Sequence, residues 1–138
     1  MIDHFVMYGE PRGKERPRVA NGHAYTPQKT REYEEALRLA WLQERHGFYL
    51  NNVQMKITAY YSIPKSTKKA DREKMRNGEI RPTRKPDCDN ILKIVSDSLQ
   101  GLAYHDDKQV NAMMIEKLYS EEPMVEVWLT DEGLDKID

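Results

Sequence analysis

Residues 85–93 read KPDCDNILK, with Asp87 and Asp89 one residue apart, Lys85 before them and Lys93 after. A second pair, Asp106 and Asp107, follows in YHDD at 104–107. The residues from Cys88 onward read as a helix, so Asp89, Lys93 and Asp97 stand four apart along one face. Capping gives a bland account of an aspartate at a helix start, worth about 1 kcal/mol. It explains one aspartate, not two with a second pair downstream. An i,i+4 ion-pair ladder is the bland account of Lys93, worth a few tenths of a kcal/mol on an exposed face. If the two pairs converge, their charges repel unless a cation sits among them. No histidine or cysteine cluster accompanies them. Cys88 alone makes no zinc site, and His105 flanks Asp106. The ligand set is hard oxygen, which selects Mg²⁺ or Mn²⁺. A divalent ion walled by lysine and arginine suits phosphoryl transfer, since the metal activates water and clamps the phosphate.

The charge distribution points to a polyanion. The chain has 138 residues and a net charge of −1, which alone argues against nucleic acid. Yet residues 1–31 carry a net +3, residues 65–85 a net +6, and residues 116–138 a net −6. Charge runs are usually solvated faces. Basic residues clustered around a carboxylate group raise the odds of a phosphate-bearing partner. A single cysteine and no secretory leader predict a reducing cytoplasm. No apolar run is long enough to span a membrane.

The elements that must position these residues follow from periodicity. Ile2–Tyr8 reads as a strand. Asn21-Gly22 is a hairpin signal, pairing Arg18–Ala20 with His23–Tyr25. Thr26-Pro27 starts a helix over about 28–46, with Tyr33, Ala36, Leu37, Ala40 and Trp41 as its inner stripe. Residues 53–63 alternate, with Val53, Met55, Ile57, Ala59, Tyr61 and Ile63 on one face. Residues 65–77 are helix-prone but nearly all polar, so the segment is either a solvated excursion or ordered by DNA. The next helix covers 88–100, with Ile91, Leu92, Val95 and Leu99 inside. Strands over 109–119 and 124–130 finish the chain, with Glu121-Glu122-Pro123 as the turn between them. The order predicts an α/β chain of the α+β type, one domain over 1–138, with helices packed on a mixed sheet.

A DxD pair alone is weak evidence. In phosphatases of the haloacid dehalogenase type and in many glycosyltransferases an apolar strand leads into it; here the lead-in is RPTRKP. The full set is more specific. KPDCDNILK, a short helix and GLAYHDDKQV together resemble the RusA family of Holliday junction resolvases. GEPRGKERPR and YTPQKTREYE resemble that family's basic N-terminal segment, and the likeness covers most of residues 9–115.

That resemblance implies a homodimeric, Mg²⁺-dependent endonuclease, often prophage-encoded, that nicks four-way DNA junctions symmetrically. By position it places the catalytic aspartates on Asp87, Asp89 and Asp107, with Asp106 as a supporting ligand, and the catalytic lysine on Lys93. Asn90 matches a structural position of the motif. Lys14, Arg16, Arg18, Lys68, Lys69, Arg84 and Lys85 are the expected phosphate contacts. A two-fold junction is cut twice, which asks for two related sites. Met7, Trp128 and the Met113-Met114 pair are candidates for a dimer surface or for core. Two rival functions are a junction-binding protein without catalysis, and a metal-dependent nuclease or phosphatase acting on another substrate.

Overall fold

The computed structural model describes residues 1–137. Its elements, in chain order, are β1 (Ile2–Tyr8), the hairpin β2 (Arg18–Ala20) and β3 (His23–Tyr25), α1 (Gln28–Leu42), β4 (Val53–Ser62), α2 (Lys69–Arg76), α3 (Cys88–Leu99), β5 (Val110–Ser120) and β6 (Met124–Thr130). Single 3₁₀ turns occupy Asp107–Gln109 and Leu134–Lys136. Four strands form a mixed sheet in the order β1-β6-β4-β5, and β2 pairs only with β3.

β4 and β5 run parallel from Gln54↔Ala112 to Ser62↔Ser120. Parallel neighbours need a crossover, and residues 63–109 supply it with α2 and α3. β6 lies antiparallel to both β4 and β1. Glu121–Pro123 therefore does not close a hairpin: it carries the chain past the end of β4, which separates β5 from β6.

One sheet face is covered by α1 and α3. Val53, Met55, Ile57, Ala59 and Tyr61 of β4, Val125, Val127 and Leu129 of β6, and Phe5 and Met7 of β1 point into this core. They meet Leu37 and Trp41 of α1, and Ile91, Ile94, Val95 and Leu99 of α3. The strict period of two in β4 is thus the central strand's core stripe. Met7 is core, whereas Met113 and Met114 are exposed on the edge strand β5. The opposite sheet face carries His4, Glu126 and Lys56, the last lying 5.2 Å from the Trp128 ring centroid.

Several boundaries differ from those expected. α1 begins at Gln28 as expected, but with buried Pro27 rather than Thr26 at its N-cap and no side-chain cap bond, and it ends at Leu42 rather than near 46. Its inner stripe is Thr30, Glu34, Leu37 and Trp41, while Ala36 is exposed. On α3, Ile94 rather than Leu92 fills the innermost position. Within the polar segment 65–77, Lys69–Arg76 form α2. Arg72 donates to the carbonyls of Pro64 and Lys65, and Arg76 pairs with Glu121 at 2.7 Å. No helix among the described residues is long and apolar enough to cross a membrane.

Because Ile94 is fully buried between α3 and the sheet, Ile94→Ala is expected to cost about 2–5 kcal/mol. Met114→Ala on the exposed edge should stay within about 0.5 kcal/mol. Urea unfolding of both variants checks the pair; equal midpoints would contradict the assigned core.

Candidate active site

The first turn of α3 is held from two sides. From the sheet, the Tyr61 hydroxyl at the end of β4 donates to the Pro86 carbonyl at 2.6 Å. Burial, the largest cause, raises the Tyr61 pKa, so this hydroxyl keeps its proton and remains a donor. From the N-terminal loop, the Lys14 N–H donates to the Asn90 carbonyl at 2.9 Å. Gly13 presses so closely that a Cβ there would lie 2.8 Å from Asn90 Cβ and 3.0 Å from Pro86 Cβ. Glycine is used here for close approach, not for a turn.

Asp87 occupies the N-cap of α3 in extended conformation, yet its carboxylate makes no capping bond. Asp89 follows in the first turn. Both are exposed, and neither has a salt-bridge partner among the described residues. They line a cleft of about 880 Å³ between residues 10–18, the start of α1 and the start of α3. Its wall brings six basic side chains beside them: Arg12, Lys14, Arg16, Arg18, Lys29 and Lys85.

The cleft's basic residues are not all free. Lys14 Nζ lies 2.8 Å from Glu34 and 3.4 Å from Asp97, and Lys93 Nζ lies 3.8 Å from the same Asp97 oxygen. Burial alone would lower the Lys14 pKa; its bond to Glu34 and the charges of Glu34 and Asp97 outweigh that and raise it. Lys14 thus holds the N-terminal loop to α1 and α3, with its charge compensated. Lys93 pairs with Asp97 rather than Asp89, but its side chain is 63% exposed, so its ammonium keeps the freedom to reach a phosphate. Glu34 was not anticipated. Its signal was spacing: Thr30, Glu34, Leu37 and Trp41 follow one helical stripe, and a carboxylate on an inner stripe needs a buried cation.

The second aspartate pair lies elsewhere. Asp106 caps the 3₁₀ turn, its carboxylate accepting from the Lys108 N–H at 3.0 Å. That bond, the largest cause, holds the Asp106 pKa below the usual carboxylate range. Gln109 completes the cap: its Oε1 accepts from the N–H groups of His105 and Asp106, and its Nε2 donates to the carbonyls of Tyr49 and Asn51. Asp107 is exposed, and its backbone N–H donates to Gln100 Oε1, just past the end of α3. α3 is 12 residues long and spans about 18 Å. Asp87 and Asp89 stand at one end and Asp106 and Asp107 at the other. The expected convergence of the two pairs does not occur within one chain: no three His, Cys, Asp or Glu side chains come together as a metal cage among the described residues.

Of the other expected phosphate contacts, Arg16, Arg18 and Lys85 stand in the cleft wall. Arg84 lies over the Tyr61 ring at 5.2 Å and near Glu10 at 3.9 Å. Lys68 and Lys69 are exposed at the start of α2, apart from the cleft residues.

The family model described as endodeoxyribonuclease RusA matches residues 8–130. The chain belongs to the RusA family. It is also 40% identical over 134 residues to a Bacillus subtilis (strain 168) protein described as uncharacterised protein YqaN, covering 92% of this chain and 94% of that one. Membership in the RusA family of Holliday junction resolvases implies nuclease activity on DNA junctions. The cleft fits such chemistry: two unpaired carboxylates offer hard oxygens among cations that suit a phosphodiester.

Gly13→Ala tests the close approach that shapes this site. The added methyl must displace Asn90 or the loop, so the variant should lose about 1–3 kcal/mol of stability, as overpacking does. Thermal unfolding with an amide NMR spectrum is the check: shifts confined to residues 10–16 and 85–91 are expected, and an unchanged spectrum would contradict the contact.

Proposed function

We propose that this chain is a divalent-metal-dependent endodeoxyribonuclease that acts as a homodimer in the cytoplasm. It would resolve Holliday junctions and related branched DNA by paired nicks, in recombination and repair. The observation that carries this reading is the pair of unpaired carboxylates, Asp87 and Asp89, in a cleft walled by cations. A capping role, which a purely DNA-binding protein would need to explain Asp87, has no support in its geometry.

Mg²⁺ is typically held by one or two carboxylates together with water and substrate phosphate, so Asp87 and Asp89 suffice to begin a site; Mn²⁺ would substitute. A bound ion would supply an activated water and a clamp on the phosphate. Hydrolysis joins a water oxygen to phosphorus and breaks a backbone phosphorus–oxygen bond, with charge building on the phosphate oxygens. Lys93, one helical turn beyond Asp89, would neutralise that charge. Arg16, Arg18, Arg84 and Lys85 would hold flanking phosphates, Lys68 and Lys69 a further DNA arm. Lys14 would act by fixing the loop.

Asp107 enters through dimerisation. It cannot reach the Asp87–Asp89 end of its own α3, so Asp107 of a second copy would complete each site, with Asp106 holding its turn in place. This also gives two related sites, as a two-fold substrate requires.

Two single variants and their mixture test the proposal. Asp89→Asn keeps shape and removes a charge, so it should abolish cleavage while leaving junction binding intact or tighter. Asp107→Asn should likewise be inactive. In a mixed dimer with shared sites, one site carries both changes and the other carries neither. Mixing the two inactive variants should therefore restore single-strand nicking. Normal cleavage by Asp89→Asn would sink the metal-site assignment. Inactive single variants with no rescue on mixing, while mixed dimers form, would place Asp107 with its own chain's site or outside it.

A further inference from the structure

The β2–β3 hairpin joins neither the core nor the main sheet. All six of its strand residues are exposed, and its strands bond only to each other. Such a ribbon is marginal alone in water. Its turn is well made, with Asn21 at φ 51° and Gly22 at φ 76°, the left-handed pair that a tight hairpin needs. Its roots are fixed, by Lys14 on the Asn90 carbonyl and by buried Pro27 at the start of α1. The finger therefore stands between two anchored points of the chain.

Register decides what it presents. Arg18 pairs with Tyr25 and Ala20 with His23, so these four share one face; Val19 and Ala24 share the other. Val19 is 73% exposed and Tyr25 46%. Arg18, at the root, lines the cleft that holds Asp87 and Asp89. Residues 16–25 contain two arginines, a histidine and no acidic residue.

Charge selects the occupant. A second copy meeting it finger to finger would bring like charge and be repelled, whereas DNA is attracted. An intact duplex offers this finger phosphates but buries its base faces. A branch point exposes them, and aromatic rings and apolar wedges are the side chains that use exposed bases. We propose that the β2–β3 hairpin binds at the branch point of junction DNA. Tyr25 and His23 stack on the exposed end of an arm, and Arg16 and Arg18 hold its phosphates. This rests on the nuclease reading above and adds the element that separates a branch from plain duplex.

The test uses the full chain with His23→Ala and Tyr25→Ala together. Affinities for a labelled four-way junction and for a linear duplex of one arm are measured side by side, with Ca²⁺ replacing Mg²⁺. Junction affinity should fall about tenfold or more, as loss of base stacking does, while duplex affinity stays within about twofold. Tyr25→Phe, which keeps the ring, should retain the preference. Tyr25→Ser alone carries the test if the double variant is unfolded by circular dichroism. An unchanged junction-to-duplex ratio, or an equal loss on both DNAs, would overturn the proposal. So would a change in sedimenting mass, which would assign the hairpin to contact between copies. Failure of the nuclease reading shows separately, as wild-type protein that cuts neither DNA with Mg²⁺.

Discussion

The site depends on one close contact, Gly13 against Asn90 and Pro86. The N-terminal loop reaches the first turn of α3 only because residue 13 has no side chain. That approach lets the Lys14 N–H find the Asn90 carbonyl and its ammonium find Glu34 and Asp97. The cleft is the space left between this loop and α3. Without the contact, the arginines at 12, 16 and 18 would sit on a free loop. A loop fixed at one point places charge at lower entropic cost than a mobile one.

Electrostatics and packing are joined in the same place. Glu34 sits on the buried stripe of α1, where an unpaired carboxylate would be costly. Lys14 satisfies it, and Asp97 shares Lys14 with Lys93. The chain Glu34–Lys14–Asp97–Lys93 runs from α1 across the loop to the exposed face of α3. It balances the buried part of the network and leaves Lys93 mobile at the outer end. Asp87 and Asp89, one turn away, stay outside the network, with no salt-bridge partner among the described residues.

Much of this was legible in the sequence, for local reasons. The period of two in 53–63 and the Asn21-Gly22 turn are set by residues close in sequence, and both strands and hairpin fall where the pattern puts them. The place of Asp87 and Asp89 at a helix start was legible because two charges one residue apart before an apolar stripe are conspicuous. The order β1-β6-β4-β5 was not, since the insertion of β4 between β5 and β6 is a long-range pairing. Ala36 and Leu92 show the limit of periodicity: a helix stripe tells which residues share a face, and tertiary packing chooses its centre. The separation of the aspartate pairs was not legible, because residues 100–106 are long enough to run back along α3; the bonds of the 3₁₀ turn to Gln100, Tyr49 and Asn51 keep it at the far end.

The acidic C-terminal segment resolves the puzzle of a nearly neutral chain in a DNA-cutting family. Its carboxylates are not spread at random. Glu121 meets Arg72 and Arg76, and Glu116 meets Arg81. These pairs fix α2 and the following loop to the far end of β5, so part of the +6 of residues 65–85 is spent inside the protein. The cleft keeps its charge differently: within its wall, Arg18 lies 3.5 Å from Glu15, and Lys14 is held by Glu34 and Asp97. Arg12, Arg16, Lys29 and Lys85 have no salt-bridge partner among the described residues. Overall charge is then a poor guide to affinity, because a phosphate senses the few cations within a Debye length of about 8–10 Å. Here those cations surround Asp87 and Asp89, and a net charge of −1 for the whole chain is compatible with a locally cationic cleft.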